Sequence, residues 1–303
     1  MDKIDIVLPD GSMMEKIMDL FLRAGMPITL KSKRTKEAIV DSKFIGRIVF
    51  QRPQEIPELI EKGLFDAGFV GQDWIKESMV ILPKLLSLPM GRKLDAPVKI
   101  VLAARQRDSF KHVDDLPPNC RVATEYVKLA KNFFYEKGRP DIQVIASYGN
   151  TEHKIGLGLA DAIVDVVESG ESLKENGLEI VQEIMDSNIV LAANPNSYAD
   201  QNKRLRLKHL AKIINGAFQA SRHVLLVANA PKELQKKASN IMAGLKGPTR
   251  SKLVYPKGWV ALQSVVLREN EESIIYELDK IGVEDIFVIR DIPMLMMKRP
   301  AIL

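Results

Sequence analysis

Residues 161–173, which read DAIVDVVESGESL, decide the fold prediction for this chain. The apolar run 163–167 is typical of a buried strand, and it carries one carboxylate, Asp165. A short loop of serine, glycine and glutamate follows at 168–172. We predict that the next stretch, 173–185, is a helix. Strand–loop–helix junctions of this kind are the building units of α/β folds with largely parallel sheets.

The loop in this junction has the features of an anion site. Backbone N–H groups at the start of a helix point outward, and the helix dipole favours negative charge there. Gly170 would let a ligand approach the backbone without a Cβ in the way. Ser169 and Ser172 offer hydroxyl donors, and Asp165 could accept hydrogen bonds from a sugar diol. Together these residues predict a cradle for a ribose 5-phosphate.

A plainer interpretation of the same loop stays open. Strand–Ser/Gly–helix junctions also serve as simple turns and helix N-caps. The loop lacks the glycine pattern of a Walker or Rossmann motif. Glu168 and Glu171 would also repel a phosphate unless Mg²⁺ or nearby cations offset their charge.

Length, cysteine usage and hydropathy limit the class of protein. The chain has 303 residues, enough for two or three domains. Its single cysteine, Cys120, excludes an internal disulfide framework and favours a cytoplasmic protein. The apolar runs are too short to span a bilayer. The first residues enter a strand-like pattern at once, so we expect neither a signal peptide nor a membrane protein.

The charged residues suggest anionic ligands rather than nucleic acid. The formal net charge is +5, and the densest basic stretch, 203–208, lies on a helical pattern without interleaved aromatic residues. We therefore expect that stretch to be a solvated helix face. The four histidines are scattered without metal-ligand spacing, so we expect no metal site built by the protein alone.

Alternating strand and helix patterns predict a two-lobed α/β core, similar in outline to periplasmic binding proteins. Residues 1–95 and 190–221 are expected to form lobe I, and residues 96–189 to form lobe II. Two chain crossings, near 90–97 and 185–195, would leave a cleft between the lobes. Clefts of this kind are favoured ligand sites.

The last part of the chain, residues 222–303, changes character. Its order of elements is βαβ-βαβ, which predicts a small ferredoxin-like domain with helices on one face of the sheet. No catalytic constellation is visible in it. We expect a structural or regulatory role.

Six sequence blocks, taken in order, resemble one known family. They are QRPQEIPELIEKGLFDAGFVGQDWI (51–75), RVATEYVKLAKNFF (121–134), GNTEHK (149–154), ADAIVDVVESGESLKENGL (160–178), SNIVLAANPNSYAD (187–200), and GPTRSKL with GWVALQSVV (247–253 and 258–266). The family is ATP phosphoribosyltransferase, the first enzyme of histidine biosynthesis. The resemblance covers essentially the whole chain and is closest to the long form, which has a C-terminal regulatory domain.

The resemblance implies a set of binding residues. Those for phosphoribosyl pyrophosphate (PRPP) are Glu152, Asp165, Glu168, Ser169, Gly170, Glu171, Ser172 and Leu173; those for ATP are Gly11, Arg52, Asp73 and Tyr126. Two of these have plainer alternatives. Arg52 could be a structural ion-pair partner, and Tyr126 could be a core residue.

Asp10 departs from the family pattern. The first-lobe turn reads Leu-Pro-Asp-Gly-Ser (8–12), where the family usually has a lysine in place of Asp10. Losing a cation beside a polyphosphate is costly, so another side chain should supply the charge. The sequence candidates are Lys31, Lys33, Arg34 and Lys154.

The resemblance also implies the reaction and its partners. ATP and PRPP would give N1-phosphoribosyl-ATP and pyrophosphate, without a covalent enzyme intermediate, and Mg²⁺ would be carried by the substrate. Histidine would inhibit, and the chain would form a homo-oligomer, a hexamer in this family. Two alternatives remain: a weakly active or regulatory paralogue, and a cleft-type protein that binds a small molecule.

Overall fold

The computed structural model describes residues 3–32, 35–91 and 96–295. Lys33 and Arg34, two of the candidate cations, lie outside the described residues. The predicted α/β class is confirmed, with two sheets in the core and a third sheet in the C-terminal part. No helix in the described ranges is long and apolar enough to cross a lipid bilayer.

The elements of the core alternate between strands and helices. The first part has β1 Ile4–Pro9, α1 Met14–Arg23, β2 Ile28–Leu30, β3 Glu37–Val40, β4 Ile45–Gln51, α2 Ile56–Glu61, β5 Ala67–Gly71, α3 Gln72–Ser78 and β6 Lys84–Leu88. The next part has β7 Val98–Arg105, β8 Arg121–Thr124, α4 Val127–Glu136, β9 Gln143–Ala146, α5 His153–Gly156, β10 Ala162–Val167, α6 Glu171–Glu175 and β11 Leu178–Ser187. The chain then continues through β12 Ile189–Ala193, α7 Pro195–Ala199 and α8 Gln201–Ser221.

Two sheets define the two lobes of the core. The lobe I sheet has seven strands in the order β2-β3-β4-β1-β5-β12-β6, with β4, β1 and β5 parallel. The lobe II sheet has five strands in the order β11-β7-β10-β8-β9, with β10, β8 and β9 parallel. The chain passes from one sheet to the other between β6 and β7, and returns at Asn188 between β11 and β12.

The C-terminal sheet has the ferredoxin-like topology that the sequence predicts. Its elements are β13 His223–Pro231, α9 Gln235–Ile241, β14 Thr249–Lys252, β15 Trp259–Leu267, α10 Glu271–Lys280 and β16 Glu284–Ile289. The strand order is β14-β15-β13-β16, and all three pairings are antiparallel. One face packs against α9 and α10 around a core that includes Leu226, Leu262 and Leu278.

The contact pattern divides the chain into two compact units. The described parts of 1–19 and 26–211 form the unit that contains both lobes, and those of 20–25 and 212–298 form the second. Part of α8 thus groups with the C-terminal sheet. The predicted domain boundary at 221/222 stays a prediction.

The prediction of a helix over 173–185 is wrong. The helix that follows the 168–172 loop, α6, has only five residues, and residues 178–187 form the edge strand β11 of the lobe II sheet. Gly177, with φ +67°, ends the helical turn in a left-handed conformation that glycine adopts without strain. The Asn-Gly pair at 176–177 is a turn signal that separates the two elements.

One helix of lobe II is capped by a side chain of lobe I. Tyr126, the N-cap residue of α4, makes no side-chain cap to the helix. The Glu77 carboxylate of α3 accepts hydrogen bonds from the N–H groups of Lys128 (3.0 Å) and Leu129 (2.9 Å) instead. A carboxylate at this position also interacts favourably with the helix dipole. This contact, here called the interlobe cap, therefore links helix formation in one lobe to the position of the other.

Glu77→Ala should destabilise the folded chain by about 1–2 kcal/mol, because two N–H groups lose their acceptor. Urea unfolding followed by circular dichroism would measure this change. Glu136→Ala, an exposed substitution at the far end of the same helix, is the matched control and should leave stability unchanged or slightly higher. Equal stability of the two variants would show that the interlobe cap contributes nothing.

Candidate functional site

The carboxyl ends of the parallel strands of both lobes surround one cavity. In open α/β sheets, ligands bind at this edge because the loops there are free to carry functional groups. The cavity has a volume of about 600 Å³, within the usual range for small-molecule sites. Its lining comes from the turns after β1, β4, β8, β9 and β10 and from part of α3, β7 and the start of α6: Asp10, Gly11, Ser12, Pro53, Gln54, Trp74, Val98, Glu125, Tyr126, Asn150, Thr151, Glu152, Asp165, Val166, Val167, Glu168, Ser169, Gly170, Glu171, Ser172 and Leu173.

The loop 168–172 forms one wall of this cavity. Gly170 is the N-cap residue of α6 and has φ +75°, so a residue with a Cβ would be strained there. A Cβ at this position would still meet open space, since its nearest neighbour would be Val167 Cγ1 at 4.0 Å. The glycine is therefore required by the backbone conformation and not by crowding.

Both serine hydroxyls of the loop contact carboxylates. Ser172 Oγ donates to Glu152 Oε1 at 2.8 Å, and Ser169 Oγ donates to Glu171 Oε2 at 3.2 Å. Hydroxyl groups rotate freely, so each can turn from a carboxylate oxygen to a phosphate oxygen. Because α6 has only five residues, its dipole is small, and the loop's N–H and O–H donors must provide most of any attraction for an anion.

Asp10 is paired with a cation that the sequence analysis did not name. Its Oδ1 accepts a hydrogen bond from the Gly11 N–H at 2.7 Å, and its Oδ2 accepts one from Lys36 Nζ. Lys36 and the Gly11 N–H hold the pKa of the Asp10 carboxyl below its usual value, so it stays ionised near neutral pH. Lys31, one of the expected cations, pairs with Glu37 instead.

The charge of the cavity lining is strongly negative. Six carboxylate residues line it, and none of its described lining residues is a lysine or an arginine. Across the described part of the chain, no group of three or more histidine, cysteine, aspartate or glutamate side chains is arranged to hold a metal ion. The oxygen donors present are those that Mg²⁺ prefers, so they suit a cation that arrives bound to a polyphosphate.

A smaller cavity of about 100 Å³ lies beside a buried hydrogen-bond network centred on Asp73. Asp73 is 5% exposed. Its Oδ2 accepts from the Tyr126 hydroxyl at 2.7 Å, and its Oδ1 accepts from the Ser187 hydroxyl at 2.6 Å. Burial and the neighbouring carboxylate raise the pKa of Tyr126 well above its usual value. This network joins α3 of lobe I to lobe II and to the return crossing.

Gly71 makes the Asp73 position possible. Its φ of −66° is ordinary, but a Cβ there would overlap Asp73 Oδ1 and lie 3.1 Å from Asp73 Cγ. The carboxylate therefore occupies the space that a side chain at 71 would need. This is the physical reason for the glycine in the Gly-x-Asp-Trp turn.

The structure brings most of the predicted site residues together. All eight residues assigned to PRPP line the larger cavity, as do Gly11 and Tyr126. Asp73 lines the smaller cavity, and Arg52 lines neither. Tyr126 is also part of the lobe II core, with its ring 4.5 Å from that of Trp74. Its two interpretations, core residue and cavity residue, are thus compatible.

Several cavity residues were missed by the sequence analysis. Trp74 and Glu125 lie next to Asp73 and Tyr126, which it did name, and Gln54 lies two positions after Arg52, so proximity in sequence was the available signal. Lys36 had no such signal, because its contact with Asp10 joins residues 26 positions apart. Cys120 lies buried in the lobe II core, and burial raises the pKa of its thiol to about 11, which disfavours the reactive thiolate.

Comparison with known proteins identifies the family. The profile of ATP phosphoribosyltransferase matches residues 52–216, and that of the HisG C-terminal domain matches residues 220–290. ATP phosphoribosyltransferase of Prosthecochloris aestuarii is 37% identical over 280 residues, 92% of this chain and 93% of that protein. This chain belongs to the ATP phosphoribosyltransferase family. The resemblance to the long form, with its extra C-terminal domain, is confirmed.

Two further relatives agree with this assignment. ATP phosphoribosyltransferase of Pelotomaculum thermopropionicum is 34% identical over 94% of this chain and 96% of its own length. The solved ATP phosphoribosyltransferase (HisG:HisZ) complex from Thermotoga maritima contains a chain with a TM-score of 0.58 and 26% identity. That match covers 70% of this chain and 98% of the Thermotoga chain.

Gly71→Ala should destabilise the folded chain by about 1–3 kcal/mol, because the new methyl group displaces the buried Asp73 carboxylate. Urea unfolding would measure the loss. Gly156→Ala in α5 is the matched control: its Cβ would meet nothing within 4 Å, and helix propensity predicts a neutral or stabilising effect. If both variants unfold at the wild-type urea concentration, Asp73 is not held as described.

Proposed function

We propose that the chain joins ATP to PRPP, forming N1-(5-phosphoribosyl)-ATP and pyrophosphate in the first step of histidine biosynthesis. The observation that carries the proposal is the shared cavity at the carboxyl ends of both sets of parallel strands, with the 168–172 loop in its wall. A cavity between two lobes can hold two substrates with their reacting atoms in contact. Family membership supports the same reaction.

In the proposed reaction the adenine N1 attacks the anomeric carbon of PRPP while the bond to pyrophosphate breaks. Positive charge develops on the ribose as the leaving group departs. The Asp165 and Glu168 carboxylates, on β10 and in the loop after it, lie in the wall where the ribose would bind, and they would stabilise that charge. No covalent intermediate is needed, so catalysis rests on positioning and electrostatics.

We assign the 5-phosphate to the loop 168–172. Ser169, Gly170 and Ser172 would supply its N–H and O–H donors, and the Ser172 hydroxyl would turn to the phosphate from Glu152, to which it donates in the structure. Asp165 would accept hydrogen bonds from the ribose diol. Gly11, Asp73 and Tyr126 would contribute to the ATP side, and Arg52 would act there only from outside the described cavity lining.

Mg²⁺ fits this site as a substrate-borne cofactor. When bound to a polyphosphate, it neutralises charge and makes pyrophosphate a better leaving group. The cavity carboxylates, foremost Glu152, Asp165 and Glu168, would provide its oxygen contacts from the protein. Their excess negative charge favours a metal-complexed polyphosphate over a free one.

Gly170→Val should raise the KM for PRPP about tenfold or more, because the loop loses the conformation that aims its donors at the phosphate. The KM for ATP should change less than about twofold. Gly138→Val is the matched control, since Gly138 has a similar φ of +70° but lies outside the cavity lining. Steady-state kinetics that follow product absorbance would test both; an equal rise in both KM values for Gly170→Val would contradict the loop assignment.

We also propose that the ferredoxin-like domain binds free histidine and lowers activity from a distance. The domain has its own core, and no residue from it lines either cavity among the described residues. An effector that binds there can inhibit only if it binds the inactive state more tightly than the active one.

A homo-oligomer, a hexamer by family resemblance, is the proposed assembly, and the cytoplasm is the proposed location. The face of the C-terminal sheet opposite α9 and α10 supports self-association. There Leu225 pairs with Ile289 and with Val265, and Val227 pairs with Phe287. Phe287 is 53% exposed and Ile289 is 43% exposed, so the β16 side of this face is available to a second copy. Light scattering in solution would measure the assembly.

Histidine at millimolar concentration should inhibit the intact protein five- to a hundredfold, which corresponds to a coupling of about 1–3 kcal/mol. Gly244→Ala should weaken this inhibition and leave both substrate KM values unchanged, because its Cβ would overlap the Val265 carbonyl and distort the C-terminal domain only. Full activity of the wild-type protein in histidine would contradict the regulatory role and leave a purely structural domain. Absence of product from ATP and PRPP would instead favour a regulatory paralogue or a small-molecule binding protein.

A further inference from the structure

The lining of the cavity would repel the polyphosphates that the proposed reaction requires it to bind. Two polyphosphates must bind where six carboxylates line the wall, and no described lining residue is basic. Carboxylates and phosphates that share one partly buried cavity repel each other strongly. Mg²⁺ offsets part of this repulsion, but a protein cation at the cavity edge would lower it further.

Lys36 is placed to be that cation. Its ammonium group donates to Asp10 Oδ2, and Asp10 is itself part of the cavity lining. Its backbone is held in the sheet, because the Lys36 carbonyl accepts a hydrogen bond from the Phe50 N–H at 2.7 Å. The Asp10 N–H in turn donates to the Gln51 carbonyl at 2.8 Å. Backbone hydrogen bonds thus fix Asp10 and Lys36 to the end of β4, and the Lys36 side chain extends from this ordered backbone.

The ion pair between Lys36 and Asp10 can break easily, so that Lys36 can exchange Asp10 for another partner. The Lys36 side chain is 57% exposed, and that of Asp10 is 25% exposed. Exposed ion pairs of this kind contribute little to stability, so breaking one costs little. Asp10 Oδ1 keeps its hydrogen bond to Gly11 when the lysine leaves. The carboxylate would therefore stay in place as the ammonium group turns toward a new partner.

We propose that Lys36 binds a phosphoryl group of a substrate polyphosphate, with Asp10 as the positioning residue that holds its ammonium group at the cavity edge before the ligand arrives. On binding, Nζ exchanges the Asp10 carboxylate for a phosphate oxygen. The ligand chemistry is a magnesium-bound di- or triphosphate: the pyrophosphate of PRPP or the triphosphate of ATP. This inference rests on the proposed reaction and assigns one further residue to it.

Calorimetric titration of the full-length protein with magnesium pyrophosphate and with magnesium ATP tests the contact directly. Lys36→Met should weaken the binding of one of these ligands about five- to twentyfold, because a charge-assisted hydrogen bond is lost. The ligand affected identifies the polyphosphate that Lys36 meets. Lys36→Arg should recover part of the affinity. Lys31→Met is the matched control, since it removes the same charge from the same hairpin but from a lysine that pairs with Glu37.

A double variant separates direct contact from simple neutralisation of Asp10. If Lys36 only screens that carboxylate, then adding Asp10→Asn to Lys36→Met should restore wild-type affinity. If Lys36 contacts the phosphate, the double variant should remain at least about fivefold weaker than Asp10→Asn alone. Restored affinity, wild-type binding by Lys36→Met, or an equal loss in Lys31→Met would each overturn the assignment. Wild-type protein that binds neither ligand and makes no product would overturn the proposed reaction itself. Normal turnover by the wild type, together with a Lys36→Met variant that binds both ligands as the wild type does, would overturn only the role of Lys36.

Discussion

The position of the buried Asp73 carboxylate is the constraint on which the site depends. A carboxylate that is 5% exposed must find partners for both oxygens, because leaving either unpaired in the interior is costly. It finds them in the hydroxyl groups of Tyr126 and Ser187, which come from lobe II and from the end of β11. Because both hydrogen bonds are short, at 2.7 and 2.6 Å, they hold the turn after β5 against the turn after β8. Gly71 supplies the space, and the interlobe cap at Glu77 holds the next helical turn in the same way. The walls of the cavity follow from these contacts.

The chemistry of that cavity is set by a balance of charge. In the proposed reaction, its carboxylates would favour the positive charge that develops on the ribose as pyrophosphate leaves, and they would disfavour the polyphosphates that bind beside it. Both requirements are met if the negative ligands arrive with Mg²⁺ and meet donors at the edges of the cavity. The 168–172 loop offers hydroxyl and N–H donors at one edge. Asp10 and Lys36 offer a paired ammonium group at another. In the proposed reaction these donors would meet the phosphates, and the other carboxylates of the lining would face the positive charge on the ribose.

Local patterns predicted the features of this fold that depend on near neighbours in sequence. The strand 162–167, the loop after it and the ferredoxin-like order of the last elements were all readable, because each is encoded within a short stretch of chain. The prediction of a helix over 173–185 is wrong because the Asn176-Gly177 turn ends the helix, and a strand begins at Leu178. The Asp73–Tyr126–Ser187 hydrogen-bond network could not be predicted from the sequence. Its members lie 53 and 114 positions from Asp73, and no local periodicity joins them.

The departure at Asp10 shows why a family pattern transfers incompletely from sequence to structure. Replacing a lysine by an aspartate at a polyphosphate site looks like a loss of two charge units when the chain is considered one position at a time. In the sheet, β4 lies between β1 and β3, so the end of β1 and the start of β3 flank the end of β4 on its two sides. A lysine at 36 therefore reaches a carboxylate at 10, and the pair presents both a cation and the group that positions it. What a ligand experiences is the arrangement of charges in space, and in the proposed role of Lys36 the strand pairing would let a lysine from a distant sequence position supply a cation beside Asp10.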